Sequence, residues 1–329
     1  MNKIYVRLIG LILLVLVISG AVIYFTVDIN TLSNLTVFKP RSVAMAVLFV
    51  GIGLVLDGTR LMHMVKISHE HITLMQAVQV VFGNYFLALL GPGATGGAVA
   101  QLMFLRHAGV PAGKATILVI VRTLVSILFL VCCMPFIFMH DAGILPGVSN
   151  ETLMVISLLA FVGILFIVWA FNTDFLDYFA IRLVRRLSRE KGRKFIAFYR
   201  DSKGAVKLLS SSPRSMIRVF LESGLSLIAI YMVVPFLMMG LGVEADWYTV
   251  MGRMIFLNML LYFSPTPGGS GIAEGGFVLL FSGTVPSGTV GILAVSWRLI
   301  AEYIPFLIGF YYTITVFGRD FLNRQLTKS

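Results

Sequence analysis

The sequence predicts an all-α polytopic membrane protein, a bundle of hydrophobic helices. Hydrophobic residues make up 58% of the 329 positions and charged residues only 12%, whereas a soluble domain is about 45–50% apolar and about 25% charged. Several apolar stretches are long enough to cross a hydrocarbon core of about 30 Å, which takes roughly 20 helical residues. Helices satisfy their own backbone hydrogen bonds in lipid, and the sequence lacks the short alternating segments of a β-barrel.

Six apolar segments are predicted to span the membrane within one transmembrane domain, 1–329. They cover about 8–27, 42–57, 115–138, 153–171, 216–240 and 290–317. The first is too long for a signal peptide and is followed by many more apolar segments, so we expect an uncleaved helix. Two further apolar segments, 72–106 and 247–284, are each interrupted by Gly and Pro.

Lysine and arginine predict the orientation because they concentrate in cytoplasmic loops. The connector 172–214 carries eleven of them, and both ends of the chain are basic, whereas loops 139–152 and 241–247 have none. We therefore expect the connector and both termini in the cytoplasm. Between 175 and 187 every fourth residue is apolar, and arginines lie among them. This pattern is typical of a helix in the headgroup layer. A plain basic connector is the other interpretation.

The two interrupted segments share one pattern, an apolar stretch that breaks at Gly and Pro and then resumes. The first contains Asn84, the Gly91-Pro92-Gly93 break, Gly96, Gly97 and Gln101. The second contains Asn258, Pro265, Pro267, Gly268, Gly269, Gly271 and Glu274. Proline lacks the N–H of a helix and glycine is a poor helix former, so neither cluster continues a helix. We predict re-entrant hairpins at 84–106, entering from the cytoplasm, and at 258–284, entering from outside.

These hairpins enter from opposite faces, and a spanning helix with an arginine follows each one. This arrangement predicts an inverted repeat, with a first unit at about 42–138 and a second at about 216–317. Paired broken helices in such repeats mark the transport site. A chance similarity is the other interpretation, since no single offset aligns every residue.

Two arginines predicted at membrane depth indicate an anion site between the breaks. Arg122 and Arg298 would each cost several kcal/mol if unpaired in hydrocarbon. Glu274 and Glu302 are the candidate partners, and Arg298 and Glu302 have i, i+4 spacing on one helix face. Half-helix N-termini and freed backbone N–H groups favour phosphate. A purely structural ion pair is the other interpretation.

Metal and cofactor chemistry is not expected. His63, His69 and His71 cluster near Glu70, but their spacing matches no catalytic motif, and interfacial polar residues are the simpler interpretation. Cys132 and Cys133 are adjacent in an apolar run and lack metal-ligand spacing. The sequence has no phosphate-binding Walker loop, so we do not expect ATP hydrolysis.

The stretches SPTPGGSGIAE (264–274) and WRLIAEY (297–303) resemble the C-terminal signature of the lysylphosphatidylglycerol synthase transmembrane, or flippase-like, family. Residues 95–106 and the following GVPAGKA resemble its N-terminal half. The resemblance implies a lipid-handling membrane domain, which in bifunctional members moves an aminoacylated phosphatidylglycerol made by a separate cytosolic domain. We expect a stand-alone member without the synthase domain, and therefore no enzyme activity of that kind.

Two classes of function follow from these observations. The first is a flippase-like transporter of a phospholipid or lipid-linked head group, anionic or zwitterionic, in a bacterial-type cytoplasmic (inner) membrane. The alternative is an accessory subunit or membrane transferase that acts with a lipid-synthesising or glycosyltransferase partner. The net charge of +11 lies beside apolar spans, which favours anionic lipid headgroups over nucleic acid.

The orientation is tested by labelling a cysteine in the basic connector. In a variant without Cys132 and Cys133, a Ser188→Cys substitution should stay unlabelled by an impermeant maleimide in intact cells, because the connector is predicted to be cytoplasmic. Permeabilised cells, in which the same cysteine should react, are the control. Labelling in intact cells would overturn the orientation.

Overall fold

The computed structural model describes residues 38–326, apart from positions 92, 142, 145–146, 174–176, 178–181, 183, 185–188, 245 and 287. The predicted span 8–27 and most of the apolar pattern between 175 and 187 lie outside these residues. The helices are α1 (Pro40–Ile67), α2 (Leu74–Leu90), α3 (Gly93–His107), α4 (Ala112–His140), α5 (Asn150–Asn172), α6 (Arg189–Ser211), α7 (Pro213–Tyr231), α8 (Val233–Gly240), α9 (Trp247–Tyr262), α10 (Ile272–Phe281), α11 (Val290–Arg298), a π-helical turn (Leu299–Tyr303) and α12 (Ile304–Leu326).

Four helical stretches of the described chain are long and apolar enough to cross a membrane. They are Pro40–Ile67, Ala112–His140, Pro213–Gly240 and Val290–Phe317. Each contains one of the predicted spans, and α5 covers the predicted span 153–171. Their outward side chains are largely apolar, as lipid contact requires: Leu48, Leu159 and Leu307, for example, are each more than half exposed.

The first of these stretches is longer than predicted. Proline at the first turn suits a helix start, since its missing N–H would have no partner there, and α1 then continues past the predicted end at 57 to Ile67. The prediction ended early because Arg60 and His63 resemble loop residues. Both side chains are instead paired inside the bundle, with Asp57 and Glu222 respectively.

Both interrupted segments are broken helices, as the Gly and Pro clusters predict. In the first, α2 begins at a capping box between Thr73 and Gln76 and ends before Gly91, and α3 folds back along it. In the second, α9 and α10 are separated by a turn over 263–271. Gly268, Gly269 and Gly271 there have φ angles of 58°, 67° and 84°, a left-handed backbone that other residues adopt only at a cost.

The two breaks touch each other. The Gly268 N–H donates to the carbonyl oxygens of Ala88 and Gly91, each at 3.2 Å. A Cβ atom on Gly268 would lie 3.1 Å from the Cα of Leu89, so a larger residue would force the two turns apart. The broken segments are therefore joined by main-chain hydrogen bonds at the points where their helices stop.

Charged side chains join the helix ends on both sides of this contact. Arg253 of α9 binds Asp141 after α4 through Nε at 2.7 Å and Nη2 at 3.1 Å, and it also donates to the Leu280 carbonyl of α10. Near the other end of α4, Lys114 binds Glu70, which follows α1, at 2.6 Å. These contacts fix α4 between α1 and the second broken segment.

A glycine substitution tests the packing of α12 on the first broken segment. A Cβ on Gly309 would lie 2.0 Å from the Phe82 carbonyl oxygen, so Gly309→Ala should destabilise the protein by about 1–3 kcal/mol, although alanine is the better helix former. The control is Gly51→Ala in α1, where a Cβ meets nothing within 4 Å. Thermal unfolding in detergent measures both, and equal midpoints would contradict this packing.

Candidate ligand-binding cavity

A cavity of about 240 Å³ lies where the two breaks meet α1, α4, α7 and the π-helical turn. This volume suits a head group rather than a whole lipid. Its polar lining consists of Asp57, Arg60, Asn84, Tyr85, Gln101, Arg122, Thr123, Ser126, Ser226, Tyr231, Asn258, Tyr262 and Glu302.

One wall of the cavity is built around Asp57, which two arginines share. Arg60 Nη2 lies 2.7 Å from Asp57 Oδ1, and Arg122 Nη2 bonds to Asp57 Oδ2. Arg60 also donates to the hydroxyls of Ser126 and Ser223. The Nε atoms of both arginines are buried without a hydrogen-bond partner in the described structure. This cluster, which we call the Asp57 cluster, carries a net formal charge of +1 and has unused N–H donors.

The second charged group surrounds Arg298, which is 1% exposed. Its Nε lies 3.1 Å from Glu274 Oε1, and its Nη1 bonds to Glu302 and to the Gly268 carbonyl oxygen, the latter at 3.0 Å. Glu274 in turn accepts the Gly271 N–H at 2.8 Å. This Arg298 cluster, with a net formal charge of −1, therefore binds the turn of the second break directly.

The π-helical turn brings the Arg298 cluster to the cavity. Trp297 of α11, and Ala301 and Glu302 of the turn, line the wall, while the stacking of Trp297 on Phe277 of α10, with ring centroids 5.1 Å apart, fixes α11 against the second broken segment. Single π turns inside α-helices occur often at functional sites. Here the wider turn follows Arg298 directly, and its Glu302 is bonded to that arginine.

The structure brings most of the predicted site residues together, some in the lining of the cavity and others behind it. Seven line the cavity: Asn84, Gln101, Arg122, Asn258, Gly268, Gly269 and Glu302. Arg298 and Glu274 lie behind the wall and shape it. Gly96 and Gly97 allow α3 to approach α2, because Cβ atoms there would lie 2.1 Å from the Leu87 carbonyl and 2.2 Å from Asn84 Oδ1. Three members of the second turn, Pro265, Pro267 and Gly271, do not line the cavity.

Two of the predicted interactions need correction. Arg122 is bonded to Asp57 and not to Glu274 or Glu302, which both bind Arg298. The backbone N–H groups expected to receive an anion at the second break are already used, since Gly268 donates to the first break and Gly269 to Thr266. The unused charged donors of the cavity therefore belong to arginine side chains.

Asp57 and Arg60 were missed because the predicted span ended at 57. The signal was present, since an Asp and an Arg at i, i+3 spacing follow an apolar run, and ionisable residues in a spanning helix mark functional sites. The histidine cluster is divided: His63 bonds to Glu222 at 2.8 Å, while Glu70 bonds to Lys114. Across the described positions no three His, Cys, Asp or Glu side chains group as metal ligands.

These features define an integral membrane protein, a helical bundle with a charged cavity where two broken helical segments meet. The chain belongs to the family described as the lysylphosphatidylglycerol synthase TM region, whose model matches residues 12–309. This match confirms the resemblance carried by the two sequence signatures. The chain is also similar to a UPF0104 membrane protein from Archaeoglobus fulgidus, with 24% identity over 267 residues that cover 78% of each chain.

The importance of the shared carboxylate can be tested by stability. Asp57→Asn leaves Arg60 and Arg122 buried without a counter-charge, which should cost about 3–5 kcal/mol. Adding Arg122→Gln to Asp57→Asn removes one of the two uncompensated charges and should recover part of this loss. Residues in one ion-pair network couple by about 0.5–3 kcal/mol.

The matched control for this experiment is Asp246→Asn. Asp246 caps α9 with its side chain more than half exposed, and asparagine caps a helix about equally well. The midpoint of thermal unfolding in detergent should fall strongly for Asp57→Asn and little for Asp246→Asn. Equal midpoints would show that Asp57 does not stabilise the two arginines.

Proposed function

We propose that this protein is a flippase-like transporter that moves a phospholipid or lipid-linked head group between the leaflets of a bacterial-type inner membrane. The observation that carries the proposal is a cavity with arginines in its lining, formed where two broken helical segments meet within an apolar bundle. A non-helical backbone at membrane depth is tolerated only inside protein or beside a water-filled cavity. Broken segments around a central site are typical of transporters.

The phosphate of the lipid binds the Asp57 cluster. Arg122 has a single hydrogen-bonding partner among the described residues, Asp57, and its Nε is free. A phosphate offers several acceptors and matches the planar guanidinium group in a bidentate geometry. The acyl or prenyl tails stay outside in the lipid, because the cavity has room only for a head group.

The proposed transport motion uses the predicted inverted repeat. Each broken segment belongs to one unit of the repeat, and the two units rock around the site. Two ion pairs lie toward opposite ends of the bundle and suit the role of gates. His63–Glu222 joins α1 to α7 on the side where α1 ends and α4 begins, and Arg253–Asp141 joins α9 to the far end of α4. Opening one pair while the other stays closed would expose the cavity to one leaflet at a time.

The transport proposal is tested by reconstituting the purified protein in liposomes with a tail-labelled fluorescent anionic phospholipid. Dithionite quenching measures how fast the label moves between leaflets. Arg122→Gln should lower the protein-dependent rate at least tenfold, because the phosphate loses its main partner. The control is Arg214→Gln at the start of α7, whose side chain is exposed and does not line the cavity; its rate should match the wild type.

Arg298→Gln is a poorer test of transport. It would leave the carboxylates of Glu274 and Glu302 buried without their arginine, a change expected to unfold the second break. A wild-type protein that moves no lipid alone, but does so with a lipid-synthesising enzyme, would replace the transporter proposal by the accessory-subunit alternative. Normal lipid movement by a stable Arg122→Gln protein would overturn the role given to the Asp57 cluster.

A further inference from the structure

The cavity contains a set of neutral polar groups that phosphate binding does not use. Three are carboxamides, Asn84, Gln101 and Asn258. Gln101 Nε2 donates to Asn84 Oδ1 at 2.7 Å, and Gln101 Oε1 is buried without a partner although the residue is only 4% exposed. Asn258 Nδ2 donates to the Met254 carbonyl at 2.9 Å, which leaves the Asn258 side-chain oxygen without a bond to a described residue.

Three tyrosines of the lining add hydroxyl groups. Tyr85, Tyr231 and Tyr262 all line the cavity and make no hydrogen bond with a described residue. Asp57 of one charged cluster and Glu302 of the other line the same cavity. The phenol groups therefore share one cavity with residues of both charged clusters and with the place assigned to the phosphate.

Building on the proposed function, we infer that the head group is a phosphate esterified to a polyol or a sugar. A hydroxyl group both donates and accepts, so a polyol can bond to carboxamide oxygens, phenols and the Glu302 carboxylate in turn. A head group without any hydrogen-bond donor would leave Gln101 Oε1 and its neighbours buried and unpaired, and a site built this way discriminates strongly against such an analogue.

The inference is tested by equilibrium binding to the purified protein, measured by native mass spectrometry in detergent. Phosphatidylinositol and phosphatidylmethanol each carry one negative charge, but only the first has ring hydroxyls. Phosphatidylinositol should bind at least tenfold more tightly, because about 1.4 kcal/mol of lost hydrogen bonding corresponds to a factor of ten.

Variants of the carboxamides show whether these side chains cause the preference. Gln101→Met should reduce phosphatidylinositol affinity about tenfold and leave phosphatidylmethanol affinity unchanged. The matched control is Gln79→Met on α2, a half-buried position that does not line the cavity, and it should change neither affinity. If Gln101→Met does not fold, Asn258→Leu makes the same test, since its amide bonds only within its own helix.

The outcomes separate this inference from the transport proposal on which it rests. Equal affinity for the two lipids would overturn the polyol head group and leave a phospholipid site. Tighter binding of phosphatidylethanolamine would overturn it in favour of an amine at Glu302. If free inositol 1-phosphate competes as well as the lipid, the polyol head group is supported but lipid transport is contradicted. If no lipid binds, both the polyol head group and lipid transport are overturned.

Discussion

The structure depends most on the bonds that Arg298 makes behind the cavity wall. This one guanidinium group binds Glu274, Glu302 and the Gly268 carbonyl, and so ties the turn of the second break to the π-helical turn. The Gly268 N–H then bonds to the first break. The turn of the second break also has hydrogen bonds of its own, from the Thr266 hydroxyl to the Ser270 carbonyl and from the Gly269 N–H to the Thr266 carbonyl. Arg298 holds this turn against the π-helical turn beside the cavity.

The charge balance explains how such a cavity can exist in an apolar bundle. The Asp57 cluster has one positive charge in excess and the Arg298 cluster one negative charge, so the lining as a whole is neutral. Each cluster alone would be costly in hydrocarbon, since an uncompensated buried charge is strongly destabilising. The lining nevertheless contains arginine donors from the Asp57 cluster and the Glu302 carboxylate from the Arg298 cluster, so it offers both positive and negative groups to a ligand.

The sequence predicts the parts of this arrangement that local chemistry determines. The breaks are visible because Pro92 and Pro267 cannot continue a helix, and the Arg298–Glu302 pair is visible as an i, i+4 spacing. The pairing of Arg122 with Asp57 depends on how α4 packs against α1, which no spacing along one chain reports. The inverted repeat and the re-entrant paths stay predictions, since they require the position of the membrane around the helices.

The sharing of Asp57 by two arginines gives a physical reason why an anion could enter and leave this site. A phosphate that takes Arg122 must displace the Asp57 carboxylate, and a buried carboxylate with no other partner would oppose this exchange by several kcal/mol. Asp57 keeps its ion pair with Arg60, whose Nη2 lies 2.7 Å from Asp57 Oδ1, and Arg60 is itself held by Ser126 and Ser223. The Asp57 carboxylate therefore stays paired both when Arg122 binds it and when Arg122 binds the ligand. The ligand-bound and empty states of the site can then lie close in free energy. A transporter needs that condition, because a head group held too tightly would not be released on the other side.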